Sequence, residues 1–576
     1  MLLSFLILTL FLPLFGALIP GKYVPVGCLL LGTLSSLLLV ITFAADPMSS
    51  PVILFKWMGA IDWGLSIDAM SVTMVTFISL ISCLVHVYAL EYMAEDSRQR
   101  QFMGLLSLFT FFMLILVTAP TLIQLFVGWE GVGVCSYFLI GFWFEKEAAA
   151  KAALRAFIMN RVGDFFFILG IVGHFWGTFP TFVGVSFLLA AMAKSAQIGF
   201  HLWLPGSMEG PTPVSALIHA ATLVTAGIFL LLKLSPFLES VPPILTVAGY
   251  VGGVTALFGA VMAFFQKDLK RILAYSTASQ LGIMMMAIGL GAVNAALFHL
   301  ITHGFFKALL FLGAGVVIHL YKGEQDVTRM GALGVKAPVV YAAMLVGFLS
   351  LTGMPFFAGF FSKEMILEIA FHQGSFVLLT LALLTAFMTG LYATRVMWRV
   401  FHGGKGKQGS FGKVSPLLST PLVILSLLSL AIGYIGYAVW GRLLLSLPFP
   451  APLSFSGHIT VWVSFAGIFV GYALYGVLPH TSVFLKEKFP ALHTFFVQEA
   501  YGDSLCQGLF VKPFQRFAKA MAFLEGRIDH DGPMAFVRGA RRIHHILGRL
   551  QTGHICHALY GLVLGLVALL LYGVCQ

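Results

Sequence analysis

His299, His303 and Lys307 stand at i, i+4 and i+8 within one apolar stretch of the chain. In a helix they share one face over about 12 Å of rise. A row of titratable groups along a buried face is what a proton wire needs, because each group has to accept and release a proton near neutral pH. Lysine does so only if desolvation or a neighbouring cation lowers its pKa from about 10.4. A buried carboxylate beside it pulls the other way. Moving that carboxylate, or changing its charge, therefore switches the lysine between holding and releasing a proton. Other apolar stretches carry the same residue types: Glu130, Arg161 with Asp164, Lys194, His219, and Lys363 with Glu364 and Glu368. Each costs at least ~2.5–3.5 kcal/mol near a bilayer centre, which makes each a functional candidate.

Plainer roles compete at some of these positions. Arg161 and Asp164 are i, i+3 neighbours and can simply neutralise each other. A single intramembrane histidine such as His219 can be a hydrogen-bonded helix contact. Lys363 lies in the outer third of its stretch, where snorkelling to water competes. Lys194 and Lys307 are mid-stretch, too far from either end for that. A metal site fits poorly, since lysine is not a ligand and no Cys or Asp set converges on the histidines. The six cysteines show no ligand spacing, so a structural zinc, an iron–sulfur cluster and a disulfide framework are not expected.

The elements that must position these groups are membrane helices. Of 576 residues, 59% are hydrophobic and only 10% charged, against about 25% charged in soluble domains. A soluble enzyme, a disordered chain and a nucleic-acid binder are excluded. The net charge of +11 has to be read by position, because membrane loops gather Lys and Arg for topological reasons. At roughly 20 apolar residues per span, sixteen spans are expected: 2–20, 24–43, 66–90, 102–119, 121–144, 155–175, 181–204, 213–234, 244–265, 270–290, 292–320, 337–371, 375–402, 416–440, 458–478 and 554–572. The first is read as a span rather than a cleaved signal, since a basic leader region is missing. Loops after odd-numbered spans hold 27 of the 34 Lys and Arg, loops after even-numbered spans hold three (Lys56, Lys233, Arg442), and the other four lie inside spans. Without the long loop before the last span the ratio is 17 to 3. The odd loops are therefore placed in the cytoplasm and both termini outside.

The expected fold class is an all-α polytopic membrane protein with two inverted five-helix repeats. Spans seven and twelve each carry a lysine and weak helix: Lys194 precedes Ser195, Gly199 and Pro205, and Lys363 follows Gly353, Pro355 and Gly359. Broken helices at corresponding places in two five-span units are what inverted repeats produce. The division is 1–101 (spans one to three), 102–235 (first repeat), 243–403 (second repeat), 416–480 (spans fourteen and fifteen), 484–553 and 554–576 (final span). Residues 484–550 are too polar to span. Basic residues such as Arg516, Lys519 and Arg538 interleave with Phe514, Phe517 and Phe523, as in an amphipathic helix lying laterally on the cytoplasmic surface or along other subunits. Pro513 and Gly532-Pro533 are expected to interrupt it.

Several runs carry a specific resemblance: Phe126-Val127-Gly128-Trp129-Glu130-Gly131-Val132-Gly133, Arg161-Val162-Gly163-Asp164, Lys194-Ser195-Ala196-Gln197, the stretch from Glu209 to Thr222, Asp268 to Thr277, His299 to Lys307, Gln325-Asp326 and Gly359-Phe360-Phe361-Ser362-Lys363. The chain resembles the subunit L (subunit 5) family, the largest antiporter-like subunits of proton-pumping NADH:quinone oxidoreductase, respiratory complex I. The resemblance implies proton translocation coupled to electron transfer from NADH to quinone in other chains. It implies that Glu130 and Lys194 form a carboxylate–lysine pair, that His219, His299, His303 and Lys307 form a central axis, and that Lys363, with Glu364 beside it, leads outward. Arg161 and Asp164 rank as a supporting ion pair. No cofactor is expected in this chain; FMN, iron–sulfur clusters and quinone belong to partner subunits. Partners are the other membrane subunits, especially the antiporter-like ones along the lateral helix, and the lipid bilayer. A bacterial inner membrane or an organelle inner membrane is the expected location.

The sequence departs from the family pattern in places. Gly206-Ser207 stands where Asp-Ala usually follows Trp-Leu-Pro, so proton uptake is not assigned there. Glu364 replaces the common Asp, and Ala332 a glycine. Related subunits serve multisubunit cation/proton antiporters, membrane-bound hydrogenases and inorganic-carbon pumps, and share the Glu–Lys core. The arm, the run Leu550-Gln551-Thr552-Gly553 and the final span favour complex I. A self-contained quinone-reducing enzyme lacks support, since no nucleotide-binding glycine turn follows a strand.

Overall fold

The computed structural model describes residues 1–19, 21–47, 50–59, 61–404, 414–436, 455–478, 480–481, 487–550, 561–565 and 568. The chain divides into two compact units, Met1–Ala500 and Tyr501–Gln576.

Among the described residues, twelve helices are long and apolar enough to cross a membrane. The chain is an α-helical multi-pass membrane protein. The sixteen expected spans exceed these twelve at four places. Span one is a shorter helix, α1 (Leu2–Leu18). Span seven stops early as α7 (Pro180–Lys194), and span twelve divides into α15 (Pro338–Thr352) and α16 (Ala358–His372). The sixteenth lies outside the described residues except for 561–565 and 568, as do residue 20 of span one, 437–440 of span fourteen, and 484–486 and 551–553 of the arm.

The order runs α2 (Val24–Ala45), β1 (Ser50–Met58), β2 (Ile61–Ile67), α3 (Ala69–Tyr92), α4 (Gln99–Val117), α5 (Leu122–Ile140) and α6 (Glu147–Phe175) before α7. After it come a short α8 (Trp203–Gly206), α9 (Thr212–Ala220), α10 (Leu223–Lys233), α11 (Ser235–Glu239), α12 (Pro242–Phe265), α13 (Leu269–Gly289) and α14 (Val293–Leu320). Beyond α16 lie α17 (Phe376–Met397), α18 (Pro416–Ile435), α19 (Phe455–Tyr472) and α20 (Pro490–Val497). The β1–β2 hairpin falls where the sequence suggested only a loop between spans two and three. It is antiparallel, with Phe55 and Trp57 packed on Trp63, and the Gln124 side chain clamps Gly64 through both its backbone N–H and C=O.

α14 is buried on every side from Ala295 to Val317. An α-helix apolar all round must sit inside a bundle, and α3, α9, α13, α15, α16 and α18 pack around it. The sequence gives this helix no solvent face on which to place charges, so its histidines and lysine can only face other helices.

The breaks have a shared geometry. At the end of α7 the Gln197 N–H donates to Met192 C=O (2.9 Å), with Ala196 in the left-handed region at φ +48°. At the end of α15 the Met354 N–H donates to Leu349 C=O (3.0 Å), with Gly353 at φ +79°. Both are the bond pattern that closes a helix through a left-handed residue. A third break, between α9 and α10, was not legible because neither Gly nor Pro marks it. There the Thr222 hydroxyl donates to Leu217 C=O (2.8 Å), which also accepts the Ala221 N–H (3.3 Å) that closes the helix.

The second unit contains α21 (Gly502–Cys506) and α22 (Lys512–Leu550), a 39-residue helix. The expected interruptions do not occur. Pro513 lies in a helical run continuous from Gly502, just after a wider π-turn over Gln507–Val511, so at this proline the winding changes and the helix does not break. Pro533 is inside the helix, and the helical turns on both sides carry the chain past the one hydrogen bond it forfeits.

Gly353→Ala is expected to destabilise the α15–α16 junction by about 1–2 kcal/mol, because a Cβ at positive φ is strained and would also stand 3.3 Å from Lys363 Cδ. A lowered thermal midpoint of the assembled protein checks this, with Ala196→Gly as the tolerated control.

Candidate functional site: two buried charge clusters

The first cluster joins α5, α6 and α7. Asp164, buried on α6, accepts a hydrogen bond from Trp129 Nε1 (2.6 Å), and its Oδ1 lies 3.5 Å from Lys194 Nζ. Its other oxygen lies 3.5 Å from Arg161 Nε, and Arg161 forms an ion pair with Glu130 through Nη1. The order is Glu130–Arg161–Asp164–Lys194: two anions and two cations alternating, with no net charge when all are ionised. Lys194 is the last residue of α7 and fully buried, its ammonium 4.9 Å from the Trp129 ring centroid. Gly133, one turn beyond Glu130, leaves room for that ammonium; a Cβ there would stand 3.2 Å from it.

This refines the expected carboxylate–lysine pair. Asp164, ranked as support, is the carboxylate in contact with Lys194. Glu130 reaches Lys194 only as a longer-range charge, with Arg161 between them. The i, i+3 neutralisation of Arg161 and Asp164 is real but incomplete, since each also serves a second partner.

The second cluster surrounds α14. His299 Nδ1 pairs with Ser362 Oγ (2.9 Å), which also meets Thr302 Oγ1 (2.8 Å). The His299 and His303 rings are 6.3 Å apart, and both His303 nitrogens lack a protein partner. Lys307 bonds the Ser276 hydroxyl and lies 3.4 Å from Leu273 C=O, both on α13. His219 Nε2 pairs with Ser207 Oγ (3.2 Å), while its Nδ1 lacks a protein partner. Buried polar atoms left so cost about 1–3 kcal/mol each, and a bridging water offsets this. Lys363 donates to Leu351 C=O (2.5 Å), in the last turn of α15. The broken helix thus seats the lysine on a carbonyl that the break freed. Glu364 points to a different neighbour and bonds Thr460 on α19.

Among the described residues no ion pair includes Lys307 or Lys363, and no hydrogen bond or ion pair joins the two clusters. Nor do any three His, Cys, Asp or Glu side chains among them gather as metal ligands do. Sequence reasoning passed over the partners Ser207, Ser276 and Ser362, because a serine in an apolar helix is usually bonded to its own backbone. It also counted Lys270 among the loop cations. Lys270 is buried and donates to Met208 C=O (2.5 Å) and Gly210 C=O (2.7 Å), holding the turn between α8 and α9. Ser276, Ser362 and Lys270 were marked only by lying inside the motif runs that carry the resemblance, and Ser207 only by the departure after Leu204-Pro205.

Residues 119–389, which include every candidate from Glu130 to Glu364, match the family model described as NADH:quinone oxidoreductase/Mrp antiporter, membrane region. Residues 57–103 match that of the complex I chain 5 N-terminus. NADH-ubiquinone oxidoreductase chain 5 of Chondrus crispus is 38% identical, covering 97% of this chain and 95% of its own length. The chain belongs to the subunit L (chain 5) family of NADH:quinone oxidoreductase. NADH-quinone oxidoreductase subunit L of Rickettsia bellii is also 38% identical, over 99% of this chain and 98% of that protein. Among solved structures, a chain of the Mrp complex from Dietzia sp. aligns over all of this chain with a TM-score of 0.74 and 26% identity; 62% of that longer chain is covered. A chain of an archaeal membrane-bound sulfane sulfur reductase, at TM-score 0.67 and 22% identity, shares the fold. In this subunit-L chain, Ser207 at the departure from the usual Asp-Ala is the residue bonded to His219.

Asp164→Asn is expected to be more damaging than Glu130→Gln. It leaves the buried Lys194 without its contacting anion, a loss of roughly 3–5 kcal/mol, whereas Glu130 is at a side-chain exposure of 24%. The amount of chain assembled in membranes, compared between the two variants, checks the order.

Proposed function

We propose that this chain moves protons across the membrane as the subunit L component of an NADH:quinone oxidoreductase, driven by electron transfer from NADH to quinone in other subunits. The observation that carries the reading is the row His299, His303 and Lys307 on a helix buried on every side, with imidazole nitrogens free of protein partners. Groups so placed serve no obvious packing need, and their burial is costly. Relatives matched along nearly their whole length bear the complex I name, which supports the coupling.

In this reading the first cluster is the switch. Arg161 and Lys194 share Asp164, and Arg161 also holds Glu130. When Arg161 moves toward Glu130, Asp164 is left to stabilise a protonated Lys194. When Arg161 moves toward Asp164, Lys194 loses that support and releases its proton. His219, Lys307, His303 and His299 form the relay, and Lys363 passes the proton outward, with Glu364 beside it. Residues 102–235 and 243–403 are the inverted repeats, an assignment supported by a buried lysine beside a helix break in each, Lys194 at the end of α7 and Lys363 after the end of α15. The remaining divisions stand as 1–101, 416–480, the arm at 484–553 and the final span at 554–576, sixteen spans in all. The arm lies on the cytoplasmic side along neighbouring antiporter-like subunits, and both termini face outward. The membrane is the inner membrane of a bacterium or organelle.

A second reading, a subunit of a multisubunit cation/proton antiporter, draws on the likeness to the Mrp chain. Vesicles holding the assembled complex distinguish them: proton uptake driven by NADH oxidation supports the first, sodium-dependent proton exchange without NADH the second.

Glu130→Gln is expected to leave assembly intact and impair pumping; a normal proton-to-electron ratio in assembled variant complex would remove the first cluster from the coupling path. Lys363→Arg is expected to impair pumping as well, because arginine stays protonated at any relevant pH. If Lys363 merely anchors the helix, that variant pumps normally.

A further inference from the structure

A cavity of about 350 Å³ opens between the ends of α3 and α14 and the start of α18, lined by Glu91, Tyr92, Glu95 and His319 among others. On the positive-inside reading these ends are cytoplasmic. Its wall residue Tyr92 meets Thr212 with hydroxyl oxygens 3.0 Å apart. Thr212 is buried at the first turn of α9. From Thr212 the helix continues through Ser215 to His219, at i, i+3 and i+7, so the three side chains share one face over about 10 Å. Ser215 Oγ and His219 Nδ1 are both buried and both lack a protein partner. That is unusual for a helical serine, whose hydroxyl ordinarily bonds its own backbone. Across from this face Gly315 of α14 lets the helices close: a Cβ there would stand 2.5 Å from Tyr88 Oη and 2.8 Å from Thr212 Cγ2.

We propose that this cavity is where protons are taken up from the cytoplasm, and that Tyr92, Thr212 and Ser215 conduct them to His219. The proposal rests on the proton-carrying reading above and adds the uptake route, which neither charge cluster supplies. Glu91, Glu95 and His319 collect protons at the mouth. Tyr92 receives one on its oxygen while its own O–H proton passes to Thr212, so no hydroxyl is left charged and no electrons move. One turn separates Thr212 from Ser215, a gap that a single water bridges.

The test uses inside-out vesicles with the assembled complex, following proton uptake driven by NADH. Tyr92→Phe keeps the ring that stacks on Tyr88 and removes only the hydroxyl. Thr212→Val keeps the shape, and Thr212→Ser keeps the hydroxyl. Tyr92→Phe and Thr212→Val are expected to slow pumping about tenfold, equivalent to ~1.4 kcal/mol, with Thr212→Ser close to wild type. A structural role for Thr212 predicts the opposite order, since valine replaces threonine's volume better than serine does. Lys307→Met in the same vesicles separates the two layers of the argument. If Tyr92→Phe and Thr212→Val pump normally while Lys307→Met fails, the uptake route is overturned and the proton-carrying reading stands. If Lys307→Met also pumps normally, both fall. Should Thr212→Val assemble poorly, Tyr92→Phe alone decides.

Discussion

An ammonium group inside a helix bundle must be seated on something, and most of this architecture follows from that requirement. A charged side chain at bilayer depth is tolerated only when oxygen atoms replace its lost water. Regular helices offer few, because their carbonyls are committed to the backbone ladder. The chain supplies oxygens in three ways. Lys194 has the Asp164 carboxylate, Lys307 the Ser276 hydroxyl, and Lys363 the Leu351 carbonyl in the last turn before a helix break. The differences matter for function. A carboxylate offers lysine a full negative charge, whereas the Ser276 hydroxyl, whose own proton goes to Leu273 C=O (2.7 Å), offers only a neutral lone pair. Lys307 is therefore held by neutral oxygens without a contacting counter-charge, while Lys194 depends on where Asp164 and its competitor Arg161 stand.

The helix breaks are part of the same solution. Irregular backbone at membrane depth is tolerated only where protein or water surrounds it. The lysine at each of the two lysine-bearing breaks is buried, although Gly199 and Phe356 within those breaks are exposed, and loose backbone groups are put to use. Lys363 takes a carbonyl of α15, and Lys270 two carbonyls of the turn before α9. The left-handed residue that ends α7 is Ala196, where glycine would be less strained. Strain held at that point, two residues after Lys194, is the kind that the surrounding packing must over-determine.

Alternating charges explain why the first cluster reaches toward the chain's surface while the second stays inside. A neutral set of four can extend outward because its members compensate one another wherever the dielectric changes. Arg161, the member that touches both carboxylates, has a side-chain exposure of 35% within the isolated chain. A neighbour that approached this arginine would act on Asp164 and, through it, on Lys194. The second cluster has no such opening, since every polar member of α14 from His299 to Lys307 is fully buried.

By itself, the sequence determined that the chain crosses the membrane many times, which residues are costly, and that His299, His303 and Lys307 share a face. Hydrophobic length and helical period carry that information directly. Its motifs also determined the family. Only the tertiary structure decided which carboxylate meets Lys194, because Glu130, Asp164 and Lys194 lie on three different helices. Period tells which residues share a helix face but not which helices are neighbours, and helices apolar all round carry no stripe to orient them. The break between α9 and α10, the β1–β2 hairpin and the uninterrupted α22 were likewise decided by context. Thr222 follows a helix end that its own hydroxyl bonds back to at Leu217 C=O, and Pro533 stays within a helix because the flanking turns hold. Local residue preferences are worth about a kilocalorie or a few per site, and in a bundle this tightly packed the surroundings outweigh them.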